Sequence, residues 1–275
     1  MIITIINHTD SIQDEELQTA IRAINRQITE DFAPHWGLSA TLRLGGRSST
    51  QPDKLNPPDM RGDAILYMWD QTDIPNALGY HDRNARGIPY GFVFTELADS
   101  LGEPWSVTLS HEALELLADP HVNLLVAGPH PSEDRTVFHW YEMSDAVQDE
   151  TYEIDGVPVS NFVLPLYFTP DAEPGSRNDF LGRSHGATSL VSFGINPGGY
   201  IGFFDPQTGE HETYAMADDP VAMQRLATKK VQTASRRAHR TARASIDEIL
   251  GRERITAKAA ASVERRSSRK YEKIN

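Results

Sequence analysis

The chain has 275 residues, 39% of them hydrophobic, and no cysteine, so it can bury a large core but cannot form disulfides or hold a metal by thiolates. No run of 18 apolar residues occurs, which excludes a spanning helix of that kind. Charge is divided unevenly: 11 basic against 34 acidic residues in 1–219 leave −23, and 15 against 5 in 220–275 leave +10.

Met1-Ile2-Ile3-Thr4-Ile5-Ile6-Asn7 lacks the basic flank and small-residue cleavage site of a signal peptide. It reads as a buried strand, with a cytoplasmic setting as the matching expectation. Leu17, Ile21, Ile24 and Ile28 recur at helical spacing between Ile12 and Phe32, and Asp14, Glu15 and Glu16 suit the first turn of that helix. After a break at Gly37, residues 40–44 read as a second strand and 64–69 as a third. Between them, Gly45-Gly46-Arg47-Ser48-Ser49-Thr50 lacks the lysine and the spacing of a phosphate loop and reads as a plain loop. Residues 76–94 are expected to supply a sheet edge, a position that suits Pro89; an ordinary meander is the alternative.

Ser106 to Asp119 reads as a helix, with Val107, Leu109, Leu114, Leu116 and Leu117 over much of its circumference, started near Pro104 and ended by Pro120. A helix this apolar is largely buried. It carries His111-Glu112-Ala113-Leu114-Glu115, which departs from the helical zinc-hydrolase signature H-E-x-x-H at its last position alone. Residues four apart share a helix face, so His111 and Glu115 are placed to hold one metal ion. Glu112, one residue out of line, is placed to take a proton from an activated water. Buried polar groups need partners, and a metal would satisfy these three. The alternative is an acidic, solvated helix face. A carboxylate at position 115 adds negative charge, which favours catalysis at higher pH and softens the preference for zinc over manganese or iron.

Further donors lie downstream. His121 stands ten residues after His111, the metzincin spacing, although Ala118 occupies the place of that signature's glycine. Residues 137–140 read as a strand leading into Tyr141-Glu142-Met143-Ser144-Asp145, where Glu142 and Asp145 can each close a metal site. Met143 reads as core filler or as a residue beneath the metal. Tyr152 to Val159 reads as a hairpin turning at Asp155-Gly156, and residues 201–204 as a strand followed by a turn at Pro206-Gln207-Thr208-Gly209. Tyr141, Tyr200 and His185 are candidates to stabilise an oxyanion, with plain core or surface placement as the alternative.

From Pro220 the chain turns rich in Ala, Arg and Lys. Val221, Met223, Leu226 and Val231 form one helical stripe, a second helix is expected over Ile246 to Ile255, and the last 20 residues are weakly apolar. This tail either folds as a solvated helix against the acidic body or docks on nucleic acid or another acidic surface.

The stretch S-H-E-A-L-E-L-L-A-D-P-H-V-N from Ser110, followed by Y-E-M-S-D-A-V from Tyr141 and V-S-N-F-V-L-P-L-Y-F from Val159, resembles a family of bacterial and phage proteins. These are described as neutral zinc metallopeptidases of the zincin type, in which H-E-x-x-E-x-x-x-D-P is followed by E-x-x-D-x-V. The resemblance covers roughly residues 60–205. It implies that His111 and Glu115 bind zinc, that Glu112 is the catalytic base, and that Glu142 or Asp145 is the third ligand. His121 ranks behind them, because relatives carry an aromatic residue there. The expected fold is α+β: a zincin-like mixed sheet with an active-site helix in residues 1–215, and a basic helical tail in 216–275. The expected function is zinc-dependent hydrolysis of a peptide or protein that pairs with the sheet's edge strand. A catalytically inactive scaffold of the same fold, tethered to nucleic acid or a protein by its tail, is the alternative.

Overall fold

Strand β1 (Ile2–Asn7) is buried from Ile3 onward, as an apolar run without alternation requires of a strand covered on both faces. It belongs to a computed structural model that describes residues 1–49, 54, 57, 60–71, 78–170, 176–186, 188–216 and 271–273. These residues form two units: Met1–Val122 with Thr151–Ser160, and Asn123–Glu150 with the described residues from Asn161 onward. The class is α+β, with a mixed sheet and few helices among the described residues. No helix among them is long and apolar enough to cross a membrane.

In the first unit β1 pairs in parallel with β2 (Thr41–Arg47) and β3 (Ala64–Trp69), and β3 pairs in parallel with β5 (Pro89–Phe94). Strand β4 (Gly79–Arg83) runs antiparallel to β5 and closes the order β2-β1-β3-β5-β4 at one edge. Pro89 is therefore the first residue of an inner strand, where its missing N–H costs little, and the edge belongs to β4. Gly45 and Gly46 belong to β2 rather than to a loop. The pairing shifts between Ile5 and Ile6, and Gly46 supplies the φ of 118° that the irregularity needs.

Helix α1 (Asp14–Arg26) buries Leu17, Ala20, Ile21, Ala23 and Ile24. The expected single helix to Phe32 instead widens into a π turn over Gln27–Phe32, in which Ala33 N–H reaches the Ile28 carbonyl five residues back. The widening precedes Pro34, whose ring would crowd the Glu30 carbonyl in a regular helix. One short turn, α2 (Ala33–Trp36), then ends at Gly37, which takes the left-handed φ of 66°.

Alternation divides the sheet's faces. Tyr67, Tyr80, Tyr90, Phe92 and Phe94 gather on one, with Tyr67 and Phe92 stacked at 5.2 Å. Gly79 and His81 of β4 turn to the other, where helix α3 (Thr95–Leu101) is followed by α4 (Trp105–Ala118). A hairpin, β8 (Thr151–Ile154) and β9 (Val157–Ser160), completes this unit. Asp155 and Gly156 both take positive φ, 52° and 76°, as a two-residue turn of this hand demands. The hairpin is held by Tyr152 Oη donating to Asp31 at 2.7 Å and by Gln27 Nε2 donating to the Ser160 carbonyl at 2.8 Å.

The strands of the second unit are β6 (Leu125–Pro129), β7 (Thr136–Trp140), the short antiparallel pair β10 (Ser184–His185) and β11 (Thr188–Ser189), β12 (Tyr200–Asp205), β13 (Glu210–Met216) and β14 (Tyr271–Lys273). Five of them form an antiparallel sheet in the order β14-β13-β12-β7-β6. The Trp140 ring lies over Gly202, where an added Cβ would stand 2.2 Å from Trp140 Cε3. Tyr271–Lys273, within the weakly apolar last 20 residues, pairs with β13. The tail helices expected over 220–231 and 246–255 lie outside the described residues.

Candidate metal centre

Every residue of α4 from Ser106 to Ala118 is buried, as its apolar circumference demands. Its hydroxyls are met by the hairpin: Ser106 Oγ donates to the Pro158 carbonyl at 2.7 Å, and Ser110 Oγ accepts the Ser160 N–H at 2.8 Å. Another stripe of the helix faces β4. There the absence of a side chain at Gly79 lets the strand come close, since a Cβ would stand 2.8 Å from Thr108 Cγ2 and 3.1 Å from Glu112 Cγ.

That approach assembles a buried polar constellation within the first unit. His81 and Glu115 are 0% exposed, Glu112 3% and His111 8%. Glu115 sits between two imidazoles, Oε1 at 3.2 Å from His111 Nε2 and Oε2 at 3.7 Å from His81 Nδ1. His81 Nδ1 also hydrogen-bonds Glu112 Oε2 at 3.2 Å. His111 and Glu115 thus meet one helical turn apart, and Glu112 stands at the end of a connected chain of groups. Imidazole nitrogen and carboxylate oxygen are ordinary zinc donors, and two donors bound at about 2.0–2.1 Å in tetrahedral directions stand about 3.3 Å apart. The 3.2 Å between His111 and Glu115 fits that spacing. No family model, curated protein or solved structure matches the chain. The chemistry of the centre therefore rests on its own side chains.

His81 is the residue that the sequence reading passed over. The signal was there: an edge strand was expected beside the metal helix, and in a strand Gly79 and His81 share a face. His121, by contrast, is exposed beyond the end of α4 and is not among the groups that meet at Glu115.

The remaining candidates belong to the second unit. Glu142 and Asp145 are buried where β7 gives way to the short 3-10 turn Asp145–Val147, at the strand-to-loop junction expected for them. With His139, Trp140, Tyr167 and Tyr200 they line a small cleft. Tyr141 packs at a tilt against Phe168 with ring centroids 4.7 Å apart, and Met143 is wholly buried. His185, an oxyanion candidate, instead contacts Glu150 through Nε2 at 2.6 Å. Asn196 and Asn161 donate to the same carboxylate at 2.6 and 2.8 Å, so His185 caps a polar network.

Proposed function

We propose that this protein is a metal-dependent hydrolase, with zinc as the cation and a peptide or protein as substrate. The reading is carried by one observation: two imidazoles and two carboxylates, all buried, converge where helix α4 meets the edge strand β4. Leaving ionisable groups in a core is costly unless each has a partner, and a centre that needs them there explains their retention. His111 and Glu115 are the ligands that share a helix face. A bound divalent cation would polarise a carbonyl oxygen and make water more acidic.

The chain's own contribution to the chemistry is proton handling. Glu112, hydrogen-bonded to His81 through Oε2, takes the proton of an attacking water and passes it to the leaving nitrogen. The buried surroundings keep competing water from the carboxylate. The sheet edge at β4 lies beside the helix that carries these groups, which suits an extended substrate held by backbone hydrogen bonds.

The test is the Glu112→Gln protein, assayed on unstructured protein substrates with and without added zinc. It should keep its metal and lose turnover by at least about 10²-fold, the usual contribution of a positioned acid–base group. Wild-type protein that takes up no zinc, or E112Q protein that still turns over, would overturn the proposal.

A further inference from the structure

We propose that Arg83 is a substrate-recognition residue of the candidate metal centre, and that the group it takes is a carboxylate of the peptide being cut. The inference rests on the hydrolase reading and deepens it, adding a substrate class from a residue outside helix α4. Placement comes first. Arg83 closes strand β4 and still pairs with Pro89 of β5, so it lies on the same strand face as Gly79 and His81. That face meets α4 in steps: a Cβ on Gly79 would reach Thr108 and Glu112, and His81 reaches Glu112 and Glu115. Two residues of strand advance about 6.8 Å, a little more than the roughly 5.4 Å of one helical turn. The next step therefore sets Arg83 about one turn past Glu115, alongside the constellation.

The second feature is chemical. Arg83 is half-buried, its Nε is shut off from solvent, and its guanidinium meets no hydrogen-bond acceptor or carboxylate among the described residues. Other partly buried arginines are answered: Arg47 pairs with Asp14 at 3.2 Å, and Arg135 with Glu133 and Asp205. In residues 1–219, where acidic side chains outnumber basic ones by 34 to 11, a guanidinium without a carboxylate is out of pattern. A partly desolvated cation lacking a counter-ion is costly, and a ligand carboxylate removes that cost. The planar fork of N–H donors matches a carboxylate with two parallel hydrogen bonds. The backbone supplies the third feature. The Arg83 N–H is held by Asp82 Oδ1 at 2.7 Å, and the chain then turns back, with Asn84 N–H on the Ile88 carbonyl. A substrate strand laid along β4 thus receives no N–H from Arg83 and meets its side chain instead.

Two experiments on the full-length chain test this, with three acetylated pentapeptides as probes: pentaalanine with a free C-terminal carboxylate, the same peptide as its amide, and that amide with glutamate at its centre. In the first, the Arg83 Nε–H resonance of metal-free ¹⁵N-labelled protein, assigned by its loss in Arg83→Lys, is followed as each peptide is added. At least one carboxylate peptide should shift it saturably, while the neutral amide should not; the peptide that acts identifies a terminal or a side-chain group. No shift with either carboxylate, or an equal shift with the neutral amide, overturns the proposal. The second compares kcat/KM on the same peptides with zinc present. The carboxylate peptide that binds should be preferred over the neutral amide by about 10- to 100-fold. Arg83→Ala should bring that ratio to about one, and R83K, which keeps the charge without the fork, to an intermediate value. A ratio that survives R83A would overturn the assignment. The resonance is read without metal or turnover, so the carboxylate site fails or stands separately from the hydrolase reading, which E112Q decides.

Discussion

Replacing Gly79 by alanine tests the close approach on which the centre depends. An alanine Cβ there would stand 2.8 Å from both the Phe92 carbonyl oxygen and Thr108 Cγ2, and 3.1 Å from Glu112 Cγ. Carbon atoms rest about 3.5–4.0 Å apart, so β4 and α4 must separate by about 0.5–1 Å. The His81–Glu112 contact begins at 3.2 Å, and a displacement of that size carries it beyond hydrogen-bonding range. Overpacking costs about 1–3 kcal/mol, and a hydrogen bond to a charged group is worth about 1.5–3 kcal/mol. Alanine's own advantage over glycine in a strand offsets about 0.5–1 kcal/mol, which leaves a net loss of about 2–5 kcal/mol. Urea unfolding followed by tryptophan fluorescence would register this as a midpoint lower by about 1–3 M. Thr108→Ser removes the Cγ2 methyl and should restore part of the midpoint in the double variant. A G79A midpoint within about 0.2 M of wild type, or no recovery with T108S, would show that strand and helix have slack there, against this account of the site.

The ligands can be separated from the base by affinity alone. His111→Ala and Glu115→Ala should each weaken zinc binding by at least about tenfold in chelator competition, whereas E112Q should not; equal affinity in all three would remove α4 from the coordination. A different pH response is expected from the second unit. Burial, helped by the Arg135 guanidinium, pushes the His130 imidazole down to about 4. Its Nδ1 accepts backbone N–H groups from Ser132 at 3.2 Å and Glu133 at 3.1 Å, an arrangement open only to the neutral ring. The unfolded chain therefore binds the proton more readily. The contribution to stability is complete above the unfolded value near 6.5, falls as pH drops from there to about 4, and amounts to about 3 kcal/mol. Unfolding titrations between pH 4 and 7 should show this slope flattened in His130→Leu; an unchanged slope would exonerate His130.

Local chemistry was readable from the sequence wherever it was sufficient. Residues 64–69, an apolar run with aromatic ends, became β3 at the expected bounds, and the apolar circumference between two prolines became α4. Asp155-Gly156 announced its own turn, because few residues other than Gly, Asn and Asp take positive φ readily. What escaped depends on partners remote in the chain. Pro89 looked like an edge residue until β4 was seen to pair outside it. Gly45 and Gly46 looked like a loop because glycine carries no pattern, yet β1 draws them into β2. His81 could be placed only once the register of β4 on β5 was known, since a one-residue slip would have turned Tyr80 toward the helix instead. The spacing that favoured His121 counted residues but not the chain's course past Pro120, which leaves that imidazole in solvent.

The hairpin Thr151–Ser160 gives the chain an order of completion. It braces α4 and the π turn of the first unit, yet it is encoded after Glu150, once the chain has already contributed Asn123–Glu150 to the second. During synthesis, at about 5–20 residues per second, the helix bearing His111 and Glu115 waits roughly 2–8 s for its brace to be translated. A ribosome-bound fragment ending at Val122 would hold every group of the constellation and still leave the hydroxyls of Ser106 and Ser110 without their strand.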